Sequence, residues 1–182
     1  MGKLTKINPR SMESFPSDVT AKRRQRKPKY VDAIERERAN YEHWLLEKSI
    51  ADLCTANEYE PLTNRHIDLL CNSGDTSVIF EVKASGPYGI AGPIRCAVTQ
   101  LFEYRYLYRK ALAHNVKLCI VSETRPSGGY EWLIGYLQYL RIGIIWHNER
   151  KDELNCNEFT KELLGELFPQ MESWSLGSIT SA

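Results

Sequence analysis

Two carboxylates and a lysine are spaced in the sequence as phosphodiester chemistry would require. Residues 66–71 and 78–83 each read as a short strand rich in branched apolar residues, and a run of turn formers separates them. Side chains alternate between the two faces of a strand. A hairpin of these strands would therefore place Asp68, Glu81 and Lys83 on one side of a sheet. A hydrolase that cleaves phosphodiesters with a metal ion needs such a set.

Phosphodiester hydrolysis needs an in-line water and positive charge to neutralise the transition state. One or two Mg²⁺ ions, bound by carboxylates and by substrate phosphate oxygens, supply this charge. We expect Asp68, Glu81 and the main-chain carbonyl of Val82 to bind Mg²⁺, with Mn²⁺ as a substitute. Lys83 would orient or help to deprotonate the water, or stabilise the leaving group. The bare triplet also arises by chance, because alternating Glu and Lys often mark an exposed sheet edge.

Length and composition indicate one ordinary soluble domain. The chain has 182 residues, of which 42% are hydrophobic and 26% are charged. No apolar run approaches the ~20 residues of a membrane helix, and the first residues lack the apolar core of a signal peptide. Five cysteines without a CxxC pair fit free thiols in a reducing compartment better than disulfides or a metal site. These features predict a cytoplasmic protein that does not bind membranes.

Charge divides the chain into an arm and a body. Residues 1–30 carry nine Lys and Arg against two acids, whereas residues 31–182 carry fifteen against twenty-one. The first segment has no apolar periodicity, so we expect a disordered basic arm, which either binds nucleic acid or is a solvated leader. Residues 31–169 would form the folded domain. The Ser-rich residues 170–182 would form a flexible tail.

The periodicity of apolar residues predicts the elements that must position the triplet. A first helix is expected over residues 32–54, and its core stripe includes Leu46 and Ile50. Glu42 lies one turn before Leu46 on this stripe, which is unusual for a carboxylate. Further elements are expected as a pairing segment at 59–62, helices at 94–114, 130–140 and 159–168, and strands at 116–122 and 142–146. This order predicts an α/β three-layer sandwich, with helices on both faces of a mixed central sheet.

The second helix adds a polar pair to the triplet. Gln100 and Tyr104 are four residues apart and share one helical face near the core stripe. Buried Gln and Tyr side chains need polar partners, which the edge of an acidic metal site would provide. Together with Asp68 and the Glu81-x-Lys83 pair, this Gln-x3-Tyr pattern resembles the PD-(D/E)XK nuclease superfamily, especially its RecB-type and restriction-endonuclease-like branches.

The resemblance covers roughly residues 40–146 and implies a restriction-endonuclease-like sandwich with Mg-dependent deoxyribonuclease activity. It implies that Asp68 and Glu81 bind the metal, that Lys83 is catalytic, and that Gln100 assists substrate and site geometry together with Tyr104. Such families often add an acid from the first helix as a further metal ligand. Glu42 is the first match to that acid, and Glu47 is the second.

Three side chains near the triplet could contact substrate: Tyr104, Arg95 and His66. A satisfied structural histidine and a solvated helical arginine are the simpler interpretations of the last two. The resemblance favours a DNA nuclease of restriction-type defence, repair or mobile-element processing, acting alone, as a homodimer or in a larger DNA-processing complex. A catalytically silent nuclease-fold subunit that binds DNA or docks a partner is the alternative. An accidental triplet would instead place Asp68 and Glu81 far apart.

Overall fold

The computed structural model describes residues 5–6, 27–85, 89–148 and 153–169, with side chains described from residue 36 onward. The tail predicted at residues 170–182 lies outside them, as does the arm predicted at residues 1–30 except for residues 5–6 and 27–30. The described strands are β1 (Thr5–Lys6), β2 (Pro61–Thr63), β3 (Leu69–Ser73), β4 (Thr76–Lys83), β5 (Asn115–Ser122), β6 (Ile142–Asn148) and β7 (Glu153–Cys156). The described helices are α1 (Lys27–Ala56), α2 (Ala91–Leu107), α3 (Trp132–Tyr139) and α4 (Glu158–Leu164).

The strands form one mixed open sheet in which spatial order follows chain order from β1 to β7. Strands β4, β5 and β6 are parallel, and the other neighbours are antiparallel. The β3–β4 hairpin closes through a two-residue loop, in which Gly74 has φ of 54°. Glycine accepts the positive φ that the first residue of such a turn requires. The β4–β5 and β5–β6 connections carry α2 and α3.

Helices cover both faces of the sheet, as the sequence predicts. One core packs α1 and the described residues Leu164, Leu167 and Phe168 at and after the end of α4 against alternate residues of the strands, including Phe80 and Val82. The other core packs α2 and α3 against the opposite face, including Ile79 and Ile120. The α/β sandwich with a mixed sheet is therefore confirmed at this level. None of the helices among the described residues has the length and apolar character to cross a lipid bilayer.

Several element boundaries differ from the predicted ones. Helix α1 begins at Lys27 rather than near residue 32, and Thr5–Lys6 pairs with β2, so both extend structure into the predicted arm. Helix α2 ends at Leu107, since the N–H of Arg109 donates to the carbonyl of Tyr106, three residues back, instead of continuing the four-residue helical pattern. Strand β7 was not predicted, because its four residues are too few to show an alternating apolar pattern.

Candidate active site

Glu81 and Lys83 lie on the same face of β4, at the carboxyl end of this central strand. Phe80 and Val82 pack into the α1 core, so alternation directs Glu81 and Lys83 to the other face. Lys83 Nζ donates to Glu81 Oε1 over 2.5 Å. The Glu81 side chain is only 1% exposed, and its second oxygen, Oε2, has no hydrogen-bond partner among the described residues. A buried carboxylate oxygen without a partner is costly, and a proton or a bound ligand would remove this cost.

Asp68 lies beside Glu81, although it precedes β3 rather than belonging to it. The β3–β4 register pairs Leu69 with Phe80, so one step further along the ladder places Asp68 opposite Glu81. Asp68 Oδ2 accepts the N–H of Val82 over 2.8 Å and continues the ladder beyond the strand. In an antiparallel pair the N–H and C=O of one residue point to the same neighbour, so the Val82 carbonyl also points towards the Asp68 side.

A turn held by Asn64 explains why the strand begins later than predicted. Asn64 Oδ1 accepts the N–H groups of His66 and Ile67 over 2.8 and 2.9 Å. An Asx-type turn of this kind satisfies the backbone locally and competes with strand pairing. The sequence predicted strand geometry from residue 66, whereas β3 begins at Leu69. Asp68 nevertheless reaches the predicted position, because the turn delivers it to the open end of the ladder.

The electrostatics of Glu81 suit a site that binds a cation. Burial first, and then the charge of Asp68, raise the pKa of Glu81 from its usual 4.5 to about 7, although Lys83 lowers it. The ionised form is therefore disfavoured until additional positive charge arrives. A bound cation would provide this charge and would restore the carboxylate.

Helix α1 contributes His43 and Glu47 to this end of the hairpin. His43 Nε2 lies 3.9 Å from Asp68 Oδ1 and 4.0 Å from Glu47 Oε2. Burial and the charge of Asp68 raise the pKa of Glu47 to about 7, and burial is the main cause that lowers the pKa of His43. Of the two acids expected from the first helix, Glu47 lies within the electrostatic field of Asp68, whereas Glu42 forms no hydrogen bond or ion pair with Asp68 or Glu81 among the described residues.

The sequence favoured Glu42 over Glu47 because Glu42 lies on the stripe of core residues. Residues one apart on a helix differ by about 100° in direction, so the face of His43 and Glu47 is adjacent to the stripe of Leu46 rather than on it. The core stripe points to the middle of the sheet. The adjacent face reaches the end of the hairpin. The four-residue spacing of His43 and Glu47 was the available signal, since it places two ligand-type side chains on one face.

Gln100 and Tyr104 of α2 lie on the face of the sheet towards which Glu81 and Lys83 point, opposite to α1. Gln100 Nε2 donates to Tyr104 Oη over 3.0 Å, and the Tyr104 ring is largely buried. Burial raises the pKa of the Tyr104 hydroxyl, and the charges of Glu81 and Asp68 raise it further. The phenol therefore lies within electrostatic range of both acids. The structure brings together the predicted Asp68, Glu81, Lys83, Gln100 and Tyr104.

The two other predicted substrate contacts are placed differently. The His66 ring lies near Tyr104, with 6.4 Å between ring centroids, while its Nε2 accepts from Arg65 Nε over 2.9 Å. His66 is therefore at the rim of the site, with one ring nitrogen engaged. Arg95 lies on the exposed face of α2, and its guanidinium is 5.5 Å from the centre of the Trp132 ring. Arg95 therefore faces α3.

A buried acid missed by the sequence analysis fixes the segment that follows Lys83. Glu123 directly follows β5 and is 3% exposed. Its carboxylate accepts the N–H of Ser85 and pairs with the Arg38 guanidinium of α1, while its own N–H donates to the Lys83 carbonyl over 3.0 Å. The sequence signal that could have revealed Glu123 is its position at the carboxyl end of a buried parallel strand, where functional side chains meet.

The donor set fits a hard divalent cation. Asp68, Glu81 and the Val82 carbonyl offer only oxygen ligands, and Glu81 Oε2 is the orphaned oxygen among them. Among the described residues no group of three or more His, Cys, Asp or Glu side chains is arranged to hold a metal ion. Mg²⁺ is commonly held by one or two carboxylates with waters and substrate phosphates, so a two-carboxylate set is compatible with it.

Comparisons of this chain with protein-family models, curated proteins and solved structures found no match. Function must therefore be inferred from the geometry of the site itself. That geometry consists of a buried acid paired with a lysine, a second acid beside it, and a tyrosine on the neighbouring helix.

Proposed function

We propose that this protein is a Mg-dependent DNA nuclease that hydrolyses phosphodiester bonds on a restriction-endonuclease-like version of the α/β sandwich. The observation that carries the proposal is the meeting of Asp68, Glu81 and Lys83 at one end of the β3–β4 hairpin, where a buried Glu81 oxygen lacks a partner. An accidental triplet gives no reason for these groups to converge. The biological setting would be restriction-type defence, repair or mobile-element processing.

Each residue of the site has a distinct role in this reaction. Asp68, Glu81 and the Val82 carbonyl would hold the metal, with Glu47 as a further acid from α1. The metal, when bound, supplies positive charge for the phosphate oxygens and for the attacking water. Lys83 Nζ lies within hydrogen-bond distance of Glu81, beside the expected position of the scissile phosphate, and can orient the water or neutralise the leaving oxygen.

Tyr104 has the properties of a hydrogen-bond donor to the substrate. Because Gln100 donates to Tyr104 Oη, the phenol accepts that bond and keeps its own proton for another acceptor. The raised pKa of Tyr104 keeps this proton in place at neutral pH. A phosphate oxygen that approaches Asp68 and Glu81 would be a suitable acceptor. Gln100 is in this scheme a positioning residue, since it acts through Tyr104.

The proposal is tested by cleavage assays on the full chain with Mg²⁺ or Mn²⁺. The substrates are linear, circular, single-stranded and branched DNA, and EDTA is the negative control. We expect Asp68→Asn, Glu81→Gln and Lys83→Ala each to lower the cleavage rate by about 100-fold or more, the scale seen for lost electrostatic stabilisation. Circular dichroism spectra should show that these variants are folded.

Asp75→Asn is the matched control for these variants. Asp75 is an exposed acid at the far end of the same hairpin, so its loss changes the charge of the element and leaves the site intact. Normal cleavage by all three site variants would show that the assignment is wrong.

The alternative is a catalytically silent subunit with the same fold that binds DNA or docks a partner. The lack of a three-ligand group among the described residues is the observation that favours it. A silent subunit would bind DNA with a strong dependence on salt, unaffected by EDTA, and would cleave none of the substrates. Two acids facing the phosphate would weaken such binding. Asp68→Asn should therefore increase DNA affinity in a silent subunit.

A further inference from the structure

The outer face of α3 is aromatic and uncharged. The helix, Trp132–Tyr139, contains no charged residue, and it buries Leu133 and Leu137 against the sheet. Trp132, Tyr136 and Tyr139 point outward, with 50%, 38% and 83% of each residue exposed. A surface helix usually presents charged side chains to water, and exposed aromatic residues that are grouped together mark a binding surface. These three residues are called the aromatic ridge.

The spacing of the ridge places three aromatic rings along one helical face. Its residues follow the i, i+4, i+7 pattern that aligns side chains along one helical face. The Trp132 and Tyr136 ring centroids are 6.0 Å apart and their planes are tilted by 54°, so each ring offers its own face, and the surface at Gly135 carries no side chain. At about 1.5 Å per residue the ridge extends about 10 Å. This length equals about three nucleotides at about 3.4 Å each.

Arg95 brings a positive charge to the start of the ridge. The Arg95 guanidinium of α2 stacks 5.5 Å from the centre of the Trp132 ring. Residues 91–141, which contain α2 and α3, carry seven Lys and Arg against three acids. One of these acids is the buried Glu123. Of these basic residues, Lys117 and Arg141 contact α4 on the opposite face of the sheet. Five Lys and Arg therefore remain in and beside α2 and α3, against the exposed acids Glu103 and Glu131.

The ridge begins at the same end of the sheet as the candidate active site. Strands β4 and β5 are parallel, and Lys83 pairs with Ser122 at their carboxyl ends. Trp132 opens the helix that follows β5, and Arg95 lies in the first turns of the helix that follows β4. Both side chains therefore start from the end of the sheet where Lys83 lies. A polymer bound along the ridge would therefore run towards the candidate active site.

We propose that the aromatic ridge binds single-stranded DNA, whose unpaired bases stack on Trp132, Tyr136 and Tyr139 while Arg95 contacts the phosphates. This inference extends the proposed nuclease function, since it names unpaired DNA as the substrate of the same site. Stacking on aromatic rings within a cationic groove is how proteins hold single strands without reading their sequence. A duplex hides the faces of its bases, so it cannot use the ridge. A polyanion also fits the positive charge around the ridge better than a second copy of this acidic-bodied chain.

Binding without cleavage tests the ridge directly. Fluorescence anisotropy of labelled oligothymidylate of about 20 nucleotides, in EDTA, would be compared with a duplex of the same length. We expect Trp132→Ala and Tyr136→Ala each to weaken single-strand binding by about tenfold, within the range for one stacked base. Trp132→Phe should retain most of the affinity, because it keeps an aromatic face. Arg95→Gln should lower the slope of affinity against salt by about one.

Tyr41→Ala is the matched control, since Tyr41 is an exposed aromatic residue of α1, on the opposite layer. Equal losses in Tyr41→Ala and Trp132→Ala would overturn the proposal. So would unchanged affinity in both ridge variants, tighter binding of the duplex, or oligouridylate bound as tightly as oligothymidylate. A dimer that dissociates in Trp132→Ala without any change in DNA affinity would instead assign the ridge to a second copy.

The two proposals fail separately. If no DNA is cleaved but the ridge variants lose affinity for single strands, the proposed function of the ridge is supported and the proposed nuclease activity is wrong. If DNA is cleaved with Mg²⁺ while Trp132→Ala changes neither the affinity nor the KM for single strands, the nuclease activity is supported and the proposed function of the ridge is wrong.

Discussion

Glu47 and Glu42 offer a test of the site at the scale of single residues. Glu47 is partly buried within the field of Asp68, and its pKa is raised to about 7, whereas Glu42 has no described contact with the acids of the hairpin. We expect Glu47→Gln to lower metal-dependent cleavage by about tenfold, the lower end for a group that supports a metal ligand set. Glu42→Gln should cost much less. Titration of the cleavage rate with Mg²⁺ would show whether the loss is in metal affinity.

Glu42→Gln is also the control, because both substitutions replace one carboxyl group of the same helix by an amide. A larger loss of cleavage in Glu42→Gln than in Glu47→Gln would favour Glu42 as the acid from the first helix, as expected from the sequence.

At the scale of elements, Glu123 joins α1, the end of β4 and the end of β5 through one carboxylate. Its carboxylate pairs with Arg38, and the two partners differ in exposure, since the Arg38 side chain is half exposed and the Glu123 side chain is 4% exposed. Glu123→Ala leaves the Ser85 N–H without its acceptor and should lower the free energy of unfolding by about 2–3 kcal/mol. Arg38→Ala removes a solvent-screened partner and should cost about 1 kcal/mol or less.

Urea unfolding followed by circular dichroism would measure both costs. A loss for Arg38→Ala as large as that for Glu123→Ala would mean that the salt bridge, and not the main-chain contact, holds these elements together.

At the scale of the whole molecule, the site makes metal-free stability depend on pH. The folded-state pKa values of Glu47 and Glu81 are about 7, above their usual 4.5, so the folded protein binds these protons more tightly than the unfolded chain does. The stabilisation is complete below about pH 4.5 and is lost as the pH rises through about 7. The lowered pKa of His43 has the opposite effect on stability below about pH 6.5, its usual pKa. It is one group against the two glutamates. We expect Tm in EDTA to fall between about pH 5 and pH 8.

Mg²⁺ should reverse this loss, since a bound cation takes the place of the protons. The rise in Tm with Mg²⁺ should therefore be larger at about pH 8 than at about pH 5, as measured by differential scanning fluorimetry. The variant with both Glu47→Gln and Glu81→Gln should show a flatter profile and little response to Mg²⁺. A wild-type Tm that rises with pH across this window would contradict the assigned environment of these acids.

Strand patterns allowed much of the site to be predicted from the sequence. The period of two placed Glu81 and Lys83 on one face, and the four-residue spacing of Gln100 and Tyr104 placed both on one helical face; the structure confirms both placements. The order of elements predicted the α/β sandwich correctly because alternating helices and strands allow few topologies. Strand β7 and the early start of α1 could not be predicted, since neither carries a clear apolar period.

Local spacing in the sequence determined which chemical groups share a face, because backbone geometry repeats over two residues in a strand and over about 3.6 in a helix. Only the tertiary structure decided which faces meet. The placement of α1 across the sheet brings His43 and Glu47 to Asp68, and the parallel register of β4 and β5 brings Glu123 to Ser85. These contacts depend on how elements pack at a distance along the chain, and no short spacing in the sequence encodes that packing.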